Sequence, residues 1–446
     1  MSSGADSTSP SSPEAETFAL NEDGIAIAFA DRYSDILRHD HHRGDWYEWN
    51  RQRWKADHTD SALDKARRLC RSLNGNNGRL LAKAATIAAV ERLARTDRRL
   101  AMAGDEWDPD PMLLGTPAGT VDLRTGEMRA ADPRDLITRS TLVAPEPGEP
   151  MLWREVLFQA TQGDEQLELF VRQIFGYALT ADAREQCLFV LCGSGGNSKT
   201  TIIGALRNIL GDYAVAASMD TFMAVRGERH STDLAMLCGA RLVVASETQA
   251  GRGWDEQRVK ALTGGDPITA RFMREDNFTF EMLAKVVLTS NSRPTLRKVD
   301  DAWRRRIHVL PFTYKPQQPD RTLQERLRAE YPRILQWAID GCLDWQRHGL
   351  SVPACVRAKT QGYFESQDVF REWLEASCGF DKLRAELQAD LYRSWKDYAE
   401  ASGEYPGSTR AMGDMLEGAG FRRIRDTMGI RGRGYAGLHL KAAGAP

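Results

Sequence analysis

The spacing of apolar residues changes character several times along the chain. Residues 1–17 (MSSGADSTSPSSPEAET) carry no large apolar side chain and are expected to stay disordered, having no surface to bury. Over residues 25–37 apolar positions recur at helical intervals. The stretch WYEWNRQRW (46–54) alternates and has Asn50-Arg51 at its centre, which predicts a hairpin. Residues 60–103 read as two charged amphipathic helices broken at Asn74-Gly75-Asn76-Asn77-Gly78. Residues 113–135 are turn-rich with short β segments, and a helical block follows over 153–180. From 186 to 312 the order is strand, Gly-rich loop, helix, then apolar strands separated by loops, which is the order of an α/β domain. The chain then reads as helical to about Gly349, and from about Val369 it forms a short helix-rich unit with a basic tail. No internal repeat is visible.

The chemistry concentrates in CLFVLCGSGGNSKTTIIGALRNIL (187–210). An apolar strand runs into Gly193, Gly195, Gly196, Asn197, Ser198, Lys199 and Thr200, and an amphipathic helix follows. Glycines let backbone N–H groups wrap phosphate oxygens, and a helix N-terminus adds partial positive charge. Lys199 is placed to neutralise the β- and γ-phosphates of ATP, and Thr200 to present its hydroxyl to Mg²⁺. The usual pattern has Gly before the Lys; Ser198 must here tolerate a backbone geometry that Gly adopts freely. Such a loop needs an acid on a neighbouring strand. In ARLVVASETQ (240–249), Glu247 follows four apolar residues and Ser246, the expected position for orienting water and helping to hold Mg²⁺. In KVVLTSNSRP (285–294), Asn291 ends a third strand, where it can sense the γ-phosphate. In DDAWRRRIHVLPF (300–312), Arg304, Arg305 and Arg306 precede an apolar strand; any one of them can instead belong to a solvated or ion-paired cluster.

These pieces in this order resemble the superfamily 3 helicases, specifically the helicase half of the poxvirus and phage/plasmid primase–helicase family. The likeness spans roughly residues 46–312 and includes VKALTGGDPITARFMREDNFTFE (259–281), with Lys260, Gly264-Gly265-Asp266 and Arg271. WYEWNRQRW, GTVDLRTGEMR (119–129) and FGYALTADAREQCLFVLCG (175–193) look like the accessory domain such proteins carry before the motor. The resemblance implies an AAA+-like P-loop core and a ring of six subunits moving 3′ to 5′ on DNA. It also implies an arginine finger reaching the neighbouring subunit, for which Arg306 fits the position best and Arg305 is the alternative. Independently, ITARFMR and FTFEML read as two strands about Glu275-Asp276-Asn277, a hairpin that can offer Arg271 and Arg274 to DNA phosphates, with Lys260 a further candidate contact. The tail has the layout of a winged helix, with Arg422, Arg423, Arg425, Arg431 and Arg433 as candidate phosphate contacts.

Composition adds limits. The chain has 446 residues, 42% hydrophobic and 27% charged, with net charge −2, so nucleic-acid contact must come from local clusters. Seven scattered cysteines without a CxxC pair argue against a disulfide framework and a structural zinc site. His39-Asp40-His41-His42 and Asp108-Pro109-Asp110 read as solvated loops. No signal or membrane span is evident, so the bacterial host cytoplasm is the expected compartment. The segment before the accessory domain is too short for a primase domain, which predicts a separate primase as partner. The expected domains are a tail (1–17), an accessory α+β domain (18–150), a helical collar (151–185), the ATPase core (186–316), a helical extension (317–365) and a winged-helix-like unit (366–446). The expected function is a ring-shaped replicative DNA helicase; the alternatives are an origin-binding initiator or loader, or a scaffold that binds nucleotide and DNA without turnover.

Overall fold

The structure, a computed structural model, describes residues 21–441 apart from 74–80, 194–197, 225–231, 247–252, 274–275, 291–295, 297–298, 317–319, 321 and 403–404. The chain divides into two compact units. The first comprises residues up to Pro109 together with Ala131–Arg139; the second comprises Asp110–Ala130 and everything from Ser140 onward. The boundary expected near residue 150 is therefore replaced by three crossings of the chain between units.

In the first unit, α1 (Glu22–Tyr33) begins at Asn21, whose side chain accepts the Gly24 N–H at 2.8 Å and so satisfies one of the helix's orphan donors. Strands β1 (Leu37–Asp40), β2 (Asp45–Trp49) and β3 (Trp54–Ala56) follow, then helices α2 (Ser61–Ser72) and α3 (Ala84–Ala94) and strand β4 (Ala101–Met102). The sheet order is β3-β2-β1-β4, and the expected hairpin closes with Trp49 opposite Trp54. Leu37 and Trp46 join α1, α2 and α3 in one apolar cluster. Trp54 is bound to the returning segment 131–139: its N–H donates to the Ile137 carbonyl and its Nε1 to the Pro133 carbonyl, both at 2.8 Å. His39 and Asp40, read from sequence as a solvated loop, lie instead on β1 and are 3% and 0% exposed. Asp40 accepts from the His42 and Arg43 N–H groups and from Trp107 Nε1, while neither ring nitrogen of His39 has a partner. Asp108 is likewise engaged, accepting both the N–H and the hydroxyl of Thr138.

The second unit opens with an antiparallel sheet of β5 (Leu113–Thr116), β6 (Gly119–Asp122) and β7 (Glu127–Arg129). Helices α4 (Met151–Thr161) and α5 (Glu165–Leu179) divide the predicted helical block at Gln162, which takes a left-handed conformation. Then come β8 (Leu188–Cys192), α6 (Lys199–Leu210), β9 (Ala214–Ala217), α7 (Thr232–Ala235), β10 (Leu242–Ser246), α8 (Glu256–Gly264), β11 (Pro267–Ala270), β12 (Phe278–Glu281), β13 (Lys285–Ser290), α9 (Asp301–Arg306) and β14 (Ile307–Pro311). Five of these strands form a parallel sheet in the order β14-β8-β13-β10-β9. Both faces are covered: Phe189 and Leu191 of β8 join one cluster, and Leu188, Val190 and Cys192 join the other. That is why these strands read as continuous apolar runs and do not alternate.

Helices α10 (Leu323–Arg328), α11 (Tyr331–His348) and α12 (Ala354–Ser377) follow the sheet. Helices α5 and α11 cross so closely that a Cβ on Gly176 would stand 2.0 Å from the Cys342 nitrogen, which only glycine permits. Two buried cations seal the entry edge of the sheet. Arg241 donates to the Leu179 and Leu113 carbonyls at 2.5 and 2.7 Å, and Lys285 Nζ donates to the Thr180 carbonyl at 2.5 Å. Both therefore sit where the C-terminal end of α5 carries partial negative charge. Burial pulls the Lys285 ammonium well below its ordinary pKa.

The chain ends in β15 (Cys378–Leu387), α13 (Gln388–Ala401), α14 (Thr409–Gly418), β16 (Arg422–Arg425) and β17 (Arg433–Leu440), with sheet order β15-β17-β16. This is a helix-turn-helix backed by a three-stranded sheet. Strand β15 precedes the helices and adds a third strand to the expected winged-helix layout.

Candidate functional site

The described residues flanking the Gly-rich loop, Gly193 and Ser198–Thr200, lie at the C-terminal edge of the parallel sheet. Strand β8 occupies the sheet interior between β14 and β13, and Cys192 at its C-terminal end pairs with Ser290 and with Pro311. One strand further on, Ser246 pairs with Thr289, and their hydroxyl oxygens are 2.8 Å apart. The ends of β8, β13 and β10 thus form one rim, the edge at which open α/β sheets bind ligands.

The chain leaves β8 at Gly193 and enters α6 through Ser198, which holds φ at +62°. Lys199 starts the helix and is 6% exposed, with Nζ 2.5 Å from the Gly193 carbonyl oxygen. Burial lowers its pKa. A nearly buried ammonium beside a helix N-terminus is a chemical fit for phosphate oxygens, and Thr200 next to it is exposed. Gly195, Gly196 and Asn197 of the loop, and Glu247 and Asn291 at the strand ends, lie outside the described residues. The residues they follow, Ser246 and Ser290, are on the rim just described.

The arginines occupy the opposite end of the sheet. Helix α9 ends at Arg306 and β14 starts at Ile307, which pairs with Leu188, the first residue of β8. They are therefore a strand length, about 13 Å at ~3.3 Å per residue, from the loop of their own chain. Arg304 donates to Gln361 at 3.3 Å and lies 5.3 Å from the Phe364 ring centroid, both on α12. Arg306 is half-buried and donates to the Ala302 carbonyl at 3.1 Å. Arg305 is exposed.

Helix α8 leads into the hairpin β11–β12, in which Ala270 pairs with Phe278. The expected first strand therefore stops before Arg271, which is exposed in the connecting loop; Arg274 lies outside the described residues. Phe272 and Phe278 stack with centroids 5.6 Å apart and planes at 17°, and Met273 is 77% exposed. The three Phe residues of ITARFMREDNFTF carry this aromatic feature in the sequence, alongside its charges. Lys260 differs from expectation: its Nζ is 2.7 Å from the Asp300 carboxylate, within its own chain. Asp300 was missed, although an Asp ahead of a short helix is the usual capping signal; it accepts the Trp303 N–H at 2.9 Å.

In the C-terminal unit all five arginines are exposed, but their partners differ. Arg423 is held by Glu417 at 2.7 Å and by the Tyr435 hydroxyl at 3.1 Å. Arg425 pairs with Asp426 at 3.3 Å and stands directly opposite Arg433 across the β16–β17 ladder. Like charges in register repel, and the Asp426 carboxylate offsets part of that repulsion. Asp426 closes the turn between the strands by accepting the Gly432 N–H at 2.8 Å. Among the described residues no group of three or more His, Cys, Asp or Glu side chains could hold a metal ion, and no helix is long and apolar enough to cross a membrane.

Known proteins resemble this layout. The profile of the family described as D5 N terminal like matches residues 26–162, and that of a family of unknown function, DUF5906, matches residues 191–306. A protein of Acanthamoeba polyphaga mimivirus named "Putative helicase" is 25% identical over 322 residues, covering 66% of this chain and 34% of its own. A "Putative helicase" of Frog virus 3 is 23% identical over 247 residues, covering 50% and 25%. A "Putative primase" of African swine fever virus is 24% identical over 243 residues, covering 51% and 25%. The chain spans about a quarter to a third of the length of these relatives. The apo structure of the NrS-1 C terminal region superposes with a TM-score of 0.51 at 9% identity, covering 94% of this chain and 99% of that one, a likeness of fold. The chain is thus a homologue of viral proteins named as helicases and primases, with a D5-like N-terminal segment.

Proposed function

We propose that the protein is a superfamily 3 helicase of the phage or plasmid type, hydrolysing ATP at subunit interfaces of a ring to move on single-stranded DNA. The observation that carries this reading is the rim of the parallel sheet: β8 ends beside β13, with β10 beyond it, and the buried Lys199 opens the helix that follows β8. Lys199 would bind the β- and γ-phosphates of ATP, with the loop from Gly193 to Ser198 supplying N–H donors. Thr200 and Glu247 would hold Mg²⁺, which when bound neutralises charge between phosphate oxygens. Glu247 would orient the attacking water, and Asn291 would contact the γ-phosphate.

The finger would come from another subunit, a reading supported by the arginines of one chain standing at the far end of their own sheet. Exposure favours Arg305 over Arg306, reversing the order expected from position alone. DNA would meet Arg271 and the Phe272–Phe278 stack on the β11–β12 hairpin, since stacked aromatics accept any base. The wing arginines Arg425, Arg431 and Arg433 would bind phosphates. A separate primase as partner belongs to the same proposal.

The test is ATP turnover with and without single-stranded DNA. Lys199→Ala should abolish it, and Arg305→Ala should lower it by about 10³-fold, the low end for such fingers. Mixing the two variants should restore part of the turnover, because a mixed interface pairs an intact loop with an intact finger. A native protein that binds ATP and DNA yet never hydrolyses ATP would be a scaffold, and this reading would fail.

A further inference from the structure

Helix α8, which leads into the hairpin, and helix α9, which carries the arginines, are remote in sequence but joined by an ion pair between Lys260 and Asp300. Lys260 lies midway along α8, the helix that continues through Gly265 and Asp266 into β11. Its Nζ is 2.7 Å from Asp300 Oδ2 and 5.9 Å from the centroid of the Trp303 ring. Asp300 is the N-cap of α9, its other carboxylate oxygen accepting the Trp303 N–H at 2.9 Å. One carboxylate thus both starts the arginine helix and receives the hairpin helix. Trp303 is fully buried, with its ring 5.6 Å from that of Trp254, just ahead of α8. At the far end, a Cβ on Gly264 would stand 3.9 Å from Arg306 Nη2. The middle and the C-terminal end of α8 therefore lie beside the start and the end of α9.

An ion pair with both side chains about a third exposed contributes little to stability. Its position is more informative: it spans the junction between the proposed DNA-facing hairpin and the proposed trans-acting arginines. We infer that Lys260 is a positioning residue that couples DNA on the β11–β12 hairpin to the placement of Arg305, through Asp300 and the start of α9. This rests on the helicase reading above. It assigns Lys260 a role inside its own chain and removes it from the DNA contacts.

The experiment uses the full chain and an oligothymidylate strand. It measures the ratio of DNA-stimulated to basal ATP turnover, the Kd for the strand without nucleotide, and the thermal midpoint. Lys260→Met keeps the stem over Trp303 but removes the charge. Asp300→Asn keeps a competent N-cap while losing the ion pair. Both should lower the stimulation ratio by about tenfold, within the usual 5–150-fold range of coupling between sites. Both should leave the strand's Kd within about twofold of native and the midpoint nearly unmoved, since the pair is exposed. Lys260→Arg, which can still reach Asp300, should restore the ratio; a merely structural role would not show this pattern.

A Lys260→Met protein that loses DNA affinity in step with stimulation would make Lys260 a DNA contact and overturn the inference. So would unchanged stimulation in Lys260→Met, or failure of Lys260→Arg to restore it. In each of these cases native stimulation leaves the helicase reading standing. If the native protein shows no stimulation at all, the helicase reading and the inference fall together.

Discussion

Ser198 holds a left-handed backbone at the point where the phosphate loop becomes a helix. A side chain there clashes with its own backbone, at a cost of roughly 1–2 kcal/mol, whereas glycine loses only about 0.5–1 kcal/mol of chain entropy. Ser198→Gly should therefore stabilise the protein by about 0.5–1 kcal/mol by chemical denaturation and leave ATP turnover intact. A loss of turnover would mean that the serine hydroxyl takes part in nucleotide binding. This conformation was legible in advance, because the motif itself asks for glycine at that position. The partner of Lys260 was not: forty positions separate it from Asp300, and nothing local in either segment marks the other. His39 and Asp40 were misread for a related reason. Two polar residues among histidines look solvated until the strand beside them and Trp107 above them are known.

At the scale of elements, long or strongly patterned segments were legible and short ones were not. The strand at 188–192, the helix after it and the hairpin at 46–54 follow from runs and alternation that span several residues. Helix α9 has six residues, less than two turns, so its apolar spacing cannot be distinguished from a loop. Strand β15 carries Asp381, Lys382, Arg384 and Glu386 and has a register shift between Asp381 and Ala385, which breaks the alternation that would announce it. The wing makes a sharper prediction. If Arg425 and Arg433 each bind a phosphate, replacing both with alanine should weaken DNA binding about equally for all sequences. It should also reduce the slope of log affinity against log salt by about 1.4 on single strands. Arg423→Ala should behave differently, lowering the thermal midpoint through loss of its bonds to Glu417 and Tyr435, with little change in that slope. Equal slope changes for all three arginines would remove the distinction between them.

The whole molecule should respond to acid through both of its units. In the first, burial, followed by the charges of His41 and Arg95, lowers the His39 pKa to about 4. In the second, burial against Phe170 and Phe189 lowers that of His308 to about 4. An unfolded histidine titrates near 6.5. Between these values the unfolded chain binds more protons than the folded one, so stability is fully present above about pH 6.5 and falls as pH drops toward 4. His39→Phe keeps the aromatic contact with Trp46, 5.0 Å away, and removes the proton site. Thermal unfolding of that variant should lose less stability than the native protein between pH 7 and 5, and an identical loss would exclude His39 as a source of the acid response.

The path of the chain between the units has an evolutionary corollary. Residues 131–139 return to the first unit and accept both hydrogen bonds of Trp54, while residues 110–130 build the first sheet of the second. A single crossover between two homologous genes anywhere from codon 57 to codon 130 would give a chimera whose Trp54 and returning strap come from different parents. Such exchanges are penalised unless both parents agree at the strap, so the segment from Trp54 through the strap should be inherited as a block, carrying the first sheet of the second unit with it. The match to a D5 N terminal like segment runs across all three crossings, from residue 26 to 162.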